Sequence, residues 1–345
     1  MKIALAQLNP TVGAVSGNAD LVRTAAREAA RCGADLLVVS ELVISGYPPK
    51  DLLLREGFVR ACDQAVEELA VSVDQNLGVL VGHPTHRDVP EGRVANAASL
   101  LHGGTIASTI HKTLLPNYDV FDEERYFKHA TKTKPVPFCG RQLGIHICED
   151  AWWGEPNTFY HEEPSPRQNP VSELVSAGAD VLINLSSSPF EITKPNLRSG
   201  IIRRQVDCSG LPFVFVNQVG GNDDLVFDGR SMVFNATGKK VLQLAGFQTD
   251  FQIVDLTRLP DPIDELAPRR EADLLDALVL GLRDYMQKCG FRDCVLGLSG
   301  GIDSTLACYI AAEACGADHV HGLLMPSRYS SEHSIADARQ LAETM

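Results

Sequence analysis

The sequence lacks the features that mark membrane, exported or nucleic-acid-binding chains. No run approaches the roughly 18 apolar residues that a membrane helix needs. The N-terminus, MKIALAQLNP, has a strand pattern and no apolar core long enough for export. Nine cysteines, an odd number, are scattered with no C-x-x-C pair and no zinc-like spacing. Reduced thiols in a cytoplasm are therefore expected. A net charge of −13 sets the general surface against nucleic acid and anionic membrane. An anionic substrate would have to be held by a local group of donors. There is no internal repeat, no low-complexity tract and no G-x-x-x-x-G-K-[ST] loop.

What is present is ordinary globular material. The chain has 345 residues, 44% hydrophobic and 22% charged, and roughly 150 residues per domain suggests two domains. Strand and helix patterns alternate over the first two hundred residues or so. Lys2–Leu8, Asp35–Val39, Gly78–Val81, Leu143–Ile147, Val181–Leu185 and Phe213–Asn217 read as buried strands. Asn18–Cys32, Gly57–Asp74, Val171–Gly178 and Leu197–Ser209 read as helices, and Ala95–Leu101 with Thr105–Ile110 as a hairpin around His102-Gly103-Gly104. Ser231–Phe234, Lys240–Leu244 and Phe251–Val254 close the series as strands. Hairpins interrupt strict alternation, which suits an α/β domain with two packed sheets better than a (β/α)₈ barrel.

Pro260–Arg270 is proline-rich, charged and without period, and reads as a linker. The expected division is 1–255, a linker at 256–270, and a second domain from 271 to 345. The second begins with an amphipathic helix marked by Leu274, Leu275, Leu278, Leu282 and Tyr285. The strand Asp293–Leu298, the loop Ser299–Ser304, a helix to about Cys315 and the strand His319–Leu324 follow.

Three ionisable residues stand at the ends of strands, where α/β domains usually bind ligands. Glu41 follows Leu36–Ser40 and precedes a Gly/Pro loop. Lys112 follows Thr105–Ile110, and Cys148 ends Gly144–Ile147 before Glu149 and Asp150 turn the chain outward. They lie 71 and 36 residues apart, separations that carry no information about proximity. Their chemistry is complementary: amide hydrolysis through a thioester needs a thiolate, and a free cysteine is mostly protonated at neutral pH.

Glu41 before Gly46-Tyr47-Pro48-Pro49, His111–Pro116, and Ile147–Asp150 resemble the three signature segments of the nitrilase (carbon–nitrogen hydrolase) superfamily, in the family's order. The resemblance implies a four-layer αββα sandwich and a Glu-Lys-Cys triad. In it Glu41 is the general base, Cys148 the nucleophile, and Lys112 stabilises the oxyanion together with the backbone N–H of Glu149. It also implies a second glutamate after the lysine, for which Glu123 is the better match and Glu124 the alternative. Leu114–Glu123 is similar to the glutaminase branch that is fused to NAD synthetases. That similarity implies a glutamine-binding role for Tyr118, Ser188, Lys194 and Glu149, with Ser186 and Ser187 as competing registers for Ser188.

In the second domain, Gly297-Leu298-Ser299-Gly300-Gly301-Ile302-Asp303-Ser304 follows a buried strand and opens a helix. Consecutive glycines let backbone N–H groups approach an anion, and the helix N-terminus adds a positive dipole end. Asp303 would repel phosphate and makes sense chiefly as a Mg²⁺ ligand. The segment Ser299–Ser304 resembles the pyrophosphate loop of the N-type ATP pyrophosphatases, whose fold is Rossmann-like and doubly wound. Met325–Ser331 is similar to a segment of NAD synthetases, its role left open between that and a helix start.

Together the resemblances imply that ammonia from glutamine amidates deamido-NAD adenylated by ATP with Mg²⁺, in a large homo-oligomer. Only 75 residues follow position 270, so the expectation is that the chain keeps the glutaminase half alone. A free-standing amidase and a non-catalytic assembly module are the rival readings. The synthetase-like loop opposes the first, and the intact Glu41, Lys112 and Cys148 oppose the second.

Overall fold

The computed structural model describes residues 1–55, 57–156, 158, 169–264, 269–326, 328 and 332–345. They form two compact units, one within 1–219 and 227–267, the other within 220–226 and 268–345.

In the first unit the strand β1 (Lys2–Gln7) is buried on both faces. Ile3 and Leu5 enter one core while Ala4 and Ala6 enter another. That is the period-two alternation of a strand with no face left to water, and the small side chains point at a helix. The helix is α1 (Val15–Arg31), whose Ala19, Val22, Ala25, Ala26 and Ala29 keep helical spacing on the buried side. β2 (Leu36–Val38), α2 (Phe58–Ser72), β3 (Gly78–Thr85), β4 (Ala95–His102) and β5 (Thr105–His111) follow. β6 (Val136–Phe138), β7 (Arg141–Ile147), α3 (Pro170–Ser176), β8 (Val181–Ser186), α4 (Lys194–Ser209) and β9 (Phe213–Asn217) repeat the theme. A short hairpin, β10 (Val219–Asn222) and β11 (Leu225–Asp228), precedes β12 (Met232–Phe234), β13 (Lys240–Gln243) and β14 (Asp250–Asp255).

These strands make two six-stranded sheets, ordered β14-β1-β2-β3-β4-β5 and β6-β7-β8-β9-β12-β13. Written this way, both sheets have the same sequence of pairings: antiparallel, parallel, parallel, antiparallel, antiparallel. Side chains from both sheets share one core, with Leu36, Val38 and Leu80 meeting Ile145, Ile147, Leu185 and Val216. The outer face of the first sheet is covered by α1 and α2, and that of the second by α3 and α4. The layers are therefore αββα, as the resemblance implied.

The helix α4 begins at Lys194, three residues before the sequence reading placed it, because Pro195 is tolerated in a first turn. Gly210 ends it in the left-handed conformation. The hairpin β10–β11 was not legible at all, since Val219-Gly220-Gly221-Asn222 has no hydrophobic alternation. Of the expected linker, Leu256 and Leu259 lie against the sheet core, and Ile263 donates its N–H to Lys240 O at 2.9 Å. Residues 265–268 lie outside the described residues.

The second unit contains α5 (Arg270–Cys289), β15 (Cys294–Gly297), α6 (Ile302–Cys315), β16 (Val320–Leu323) and α7 (Glu332–Thr344). β15 and β16 pair in parallel across α6, the start of a doubly wound α/β arrangement. The tip 220–226 belongs to this unit: Gly221 N–H donates to Asp284 at 2.7 Å and the Lys288 ammonium to Gly221 O at 2.9 Å. No described helix is long and apolar enough to cross a membrane.

Candidate active site

Glu41 sits just past β2 and is almost wholly buried. The turn that carries it lies against β3 at Gly82. A Cβ there would come within 2.5 Å of Ser40 O and Leu42 N, so only glycine lets the strand approach this closely. Each Glu41 oxygen has donors. Oε1 accepts from Lys112 Nζ at 2.8 Å and from Asn96 Nδ2 at 2.7 Å, while Oε2 accepts from Ser187 N at 2.9 Å. The carboxylate is thus oriented from both sheets.

Lys112 follows the edge strand β5 and is among the largest fully buried side chains. Its ammonium bridges Glu41 and both oxygens of Glu123, at 2.9 and 2.8 Å. Burial opposes that charge, but the Glu123 and Glu41 carboxylates outweigh it and hold the ammonium pKa well above its usual value. Glu123 is buried and also accepts from the Tyr47 hydroxyl at 2.8 Å, whereas Glu124 is exposed. Burial pushes the Glu123 carboxyl up, and Lys112 pulls it back down.

Cys148 ends β7 with φ 45°, a left-handed conformation that costs a non-glycine residue about 1–2 kcal/mol. Burial raises its thiol pKa, the Glu41 carboxylate raises it further, and Lys112 opposes both. Cys148 therefore rests as a neutral thiol, and it would need a base to take its proton before it could act as a nucleophile.

Asp150 ties the backbone around Cys148 to the segment that follows Lys112. Its Oδ2 accepts from Ile147 N at 3.0 Å; its Oδ1 accepts from Thr113 N at 3.0 Å and Leu114 N at 2.7 Å. One buried carboxylate thereby ties the chain around Cys148 to the loop after Lys112. Burial raises its pKa to about 6 despite these three donors.

The residues expected to hold glutamine fall around the same strand ends. The Tyr118 hydroxyl donates to Glu149 Oε1 at 2.7 Å, and burial raises the Glu149 carboxyl to about 7. Ser187 and Ser188 follow β8 and divide the work. Ser187 holds Glu41 through its N–H and donates its hydroxyl to Glu41 O at 3.0 Å. Ser188 Oγ accepts from Arg198 at 3.3 Å, and Ser186 Oγ donates to Asn184 Oδ1 at 2.7 Å. Lys194, in the first turn of α4, lies 5.6 Å from the Phe121 ring centre and 5.8 Å from that of Trp152. Burial lowers its pKa, and nearby Arg198 adds to the effect.

Sequence reasoning named none of Asn96, Tyr47, Asp150, Arg198 or Asp228 for a role. Tyr47 and Asp150 stood inside the quoted segments, so a signal existed for them. Arg198 is fully buried, pairs with Asp228 at 3.1 Å and stacks over Phe215. An arginine on an unremarkable helical stretch gives no such warning.

In the second unit, the loop from Leu298 to Ser304 joins β15 to α6. Ser299 Oγ lies 3.1 Å from Ser304 Oγ and accepts from Gly301 N at 3.2 Å. Gly300 has φ +77°, and a Cβ there would come within 2.4 Å of Ser334 O. Gly297, Gly301, Ile302 and Asp303 are exposed, so the N-terminus of α6 is open to an anion. Among the described residues no group of three or more His, Cys, Asp or Glu side chains could hold a metal ion.

Two family models match the chain: Carbon-nitrogen hydrolase over residues 2–163 and NAD synthase over residues 274–345. A glutamine-dependent NAD(+) synthetase of Synechocystis is 44% identical, over 99% of this chain and 62% of the relative. The chain is similar to glutamine-dependent NAD(+) synthetases along its whole length. A second family member, from Rhodobacter capsulatus, is 39% identical, over 100% of this chain and 60% of the relative. The solved glutamine-dependent NAD+ synthetase of Acinetobacter baumannii, in complex with adenosine diphosphate, superposes with a TM-score of 0.90 at 34% identity, covering 100% of this chain and 63% of that one. An amidase from Nesterenkonia shares the sandwich fold at TM-score 0.62 and 24% identity, over 76% of this chain and 91% of the amidase.

The chain spans about three fifths of the length of the curated synthetases it matches. The NAD synthase match over 274–345 corrects one expectation. A chain that kept the glutaminase half alone would not carry that match, so the reading is not supported.

Proposed function

We propose that this chain is the glutamine-hydrolysing and ATP-loop-bearing portion of a glutamine-dependent NAD synthetase. The observation that carries the reading is the buried Lys112 ammonium clamped between Glu41 and Glu123 beside the Cys148 thiol. Glu41 takes the thiol proton as Cys148 Sγ attacks the carboxamide carbon of glutamine. Lys112 and the backbone N–H of Glu149 stabilise the oxyanion. Glu41 returns the proton to the departing nitrogen, the C–N bond breaks, and ammonia leaves a thioester. Glu41 then deprotonates a water that attacks the thioester, releasing glutamate and restoring the thiol.

Tyr118, Ser188 and Lys194 are assigned to holding the amino-acid end of glutamine. Support for this lies in their position: Tyr118 in the loop after β5, Ser188 just past β8 and Lys194 at the start of α4. The lowered pKa of Lys194 fits a buried ammonium that gains a carboxylate partner on binding.

For the second unit the proposed substrates are ATP and deamido-NAD, with the ammonia amidating the adenylated acid. Ser299, Gly300, Gly301 and Ser304 would cradle phosphate oxygens at the start of α6, beside Gly297, Leu298 and Ile302. Mg²⁺ would reach this loop with the phosphates, and Asp303 would add one carboxylate oxygen to its shell. The solved relative's complex with adenosine diphosphate supports a nucleotide as a ligand of this family. The proposed limits are 1–255 for the amidase domain, 256–270 for the linker and 271–345 for the synthetase portion, in a cytoplasmic homo-oligomer.

The test is radiolabelled glutamine with Cys148→Ala. The wild-type chain should trap a covalent thioester and release ammonia, and the variant should do neither. Unchanged ammonia release by the variant would sink the assignment.

A further inference from the structure

A depression of about 370 Å³ lies on the free edge of the first sheet. One wall is β5 from Ser108 to His111, the other is the segment from Lys128 to Lys134, and Asp88 to Pro90 caps it. Lys128, Lys132, Lys134, His111 and His129 all line it, against the single carboxylate of Asp88. Three lysines against one carboxylate are unexpected in a chain with net charge −13. The proposed glutamine chemistry uses none of these side chains.

The walls are held in place. Lys128 N–H donates to Val94 O at 2.8 Å, Ala130 N–H to Lys112 O at 2.9 Å, and Thr133 Oγ1 to Glu173 at 2.9 Å. Among the described residues, Lys128, Lys132 and Lys134 form no ion pair. His111 Nε2 is buried with no hydrogen-bond partner. A buried polar atom left unsatisfied costs about 1–3 kcal/mol, and a bound group that hydrogen-bonds to it, such as the hydroxyl of a hydrogen phosphate, removes that cost.

We propose that this depression is a binding site for phosphate-type oxyanions, whether inorganic or carried by a nucleotide. Three ammonium groups spread around a shallow bowl match a compact multiple charge better than a single carboxylate. Serine and threonine hydroxyls from both walls supply further donors. Because Ala130 is bonded to Lys112 O, and His111 precedes Lys112, the site backs directly onto the lysine of the triad.

The test is histidine-edited NMR on the full chain, at constant ionic strength, with signals assigned by single His→Gln variants. Inorganic phosphate, pyrophosphate and ATP are added separately. The His111 and His129 signals should move saturably, while His333 in the second unit reports binding at the other loop. Lys132→Glu with Lys134→Glu, both exposed, should weaken the His111 response about tenfold or more. A response to pyrophosphate or phosphate identifies an inorganic ligand, and one confined to ATP identifies a nucleotide. No saturable movement with any of the three, or an equal response in the double variant, overturns the proposal.

Discussion

Replacing Lys112 with methionine separates the charge role of this residue from its packing role. Methionine keeps most of the buried volume but leaves two carboxylates, Glu41 and Glu123, without their shared cation. Removing one partner of a buried ion pair typically costs about 3–5 kcal/mol. At roughly 2–4 °C per kcal/mol for a domain of this size, the first unit should melt about 10 °C lower at pH 8. The loss should depend on pH. Burial already pushes the Glu123 carboxyl above its ordinary 4.5, and without Lys112 its folded-state pKa rises further. The folded variant then binds the proton more tightly than the unfolded chain. Its stability is retained below about pH 4.5 and lost as pH rises through the folded pKa.

Adding Glu123→Gln to Lys112→Met should recover most of the loss, because the remaining Glu41 keeps Asn96 and Ser187 as donors. Neither variant should release ammonia from glutamine. Thermal unfolding followed by circular dichroism between pH 4.5 and 8 reads all of this. A pH-independent loss, or no recovery in the double variant, would mean that packing and not charge governs this site.

Two further outcomes are expected. Glu149→Gln should stabilise the first unit at pH 8 by about 3 kcal/mol, the linkage value of a shift from 4.5 to about 7, with the gain fading toward pH 4.5; an equal effect at both pH values would contradict the buried-carboxyl reading. Gly300→Ala should weaken ATP binding to the second unit and lower its melting temperature. The methyl group must occupy space within 2.4 Å of Ser334 O at a φ of +77°, a strain of about 1–3 kcal/mol; unchanged ATP titration would refute the loop assignment.

The layered architecture was legible because its signals are local. Strands buried on both faces read as continuous apolar runs, α1 shows its alanines at helical spacing, and glycine or proline marks most boundaries. The resemblance placed Glu41, Lys112 and Cys148 in one site, which their separations of 71 and 36 residues could not do. Residues that work through long-range contacts stayed hidden. Asn96 reaches Glu41 from a different strand, and Asp150 holds three N–H groups from two segments. The Arg198–Asp228 pair spans 30 positions. Nothing in local composition distinguishes such a buried arginine from a solvated one.

The repeated pairing order of the two sheets explains why residues that follow different strands come together. β2 and β8 hold the same position in their respective sheets, and the residues that follow them meet: Glu41 after the first, Ser187 after the second. β7 stands beside β8 and delivers Cys148, while the edge strand β5 delivers Lys112. A carboxylate held by a backbone N–H from the opposite sheet shifts if the sheets slide. The inter-sheet core around Leu36, Val38, Ile147 and Leu185 resists that. A cavity cut there, as in Leu185→Ala, would cost about 2–5 kcal/mol and also loosen the distance between Glu41 and Ser187 N. The fold's hydrophobic centre is thus part of what holds the Glu41 carboxylate in its orientation.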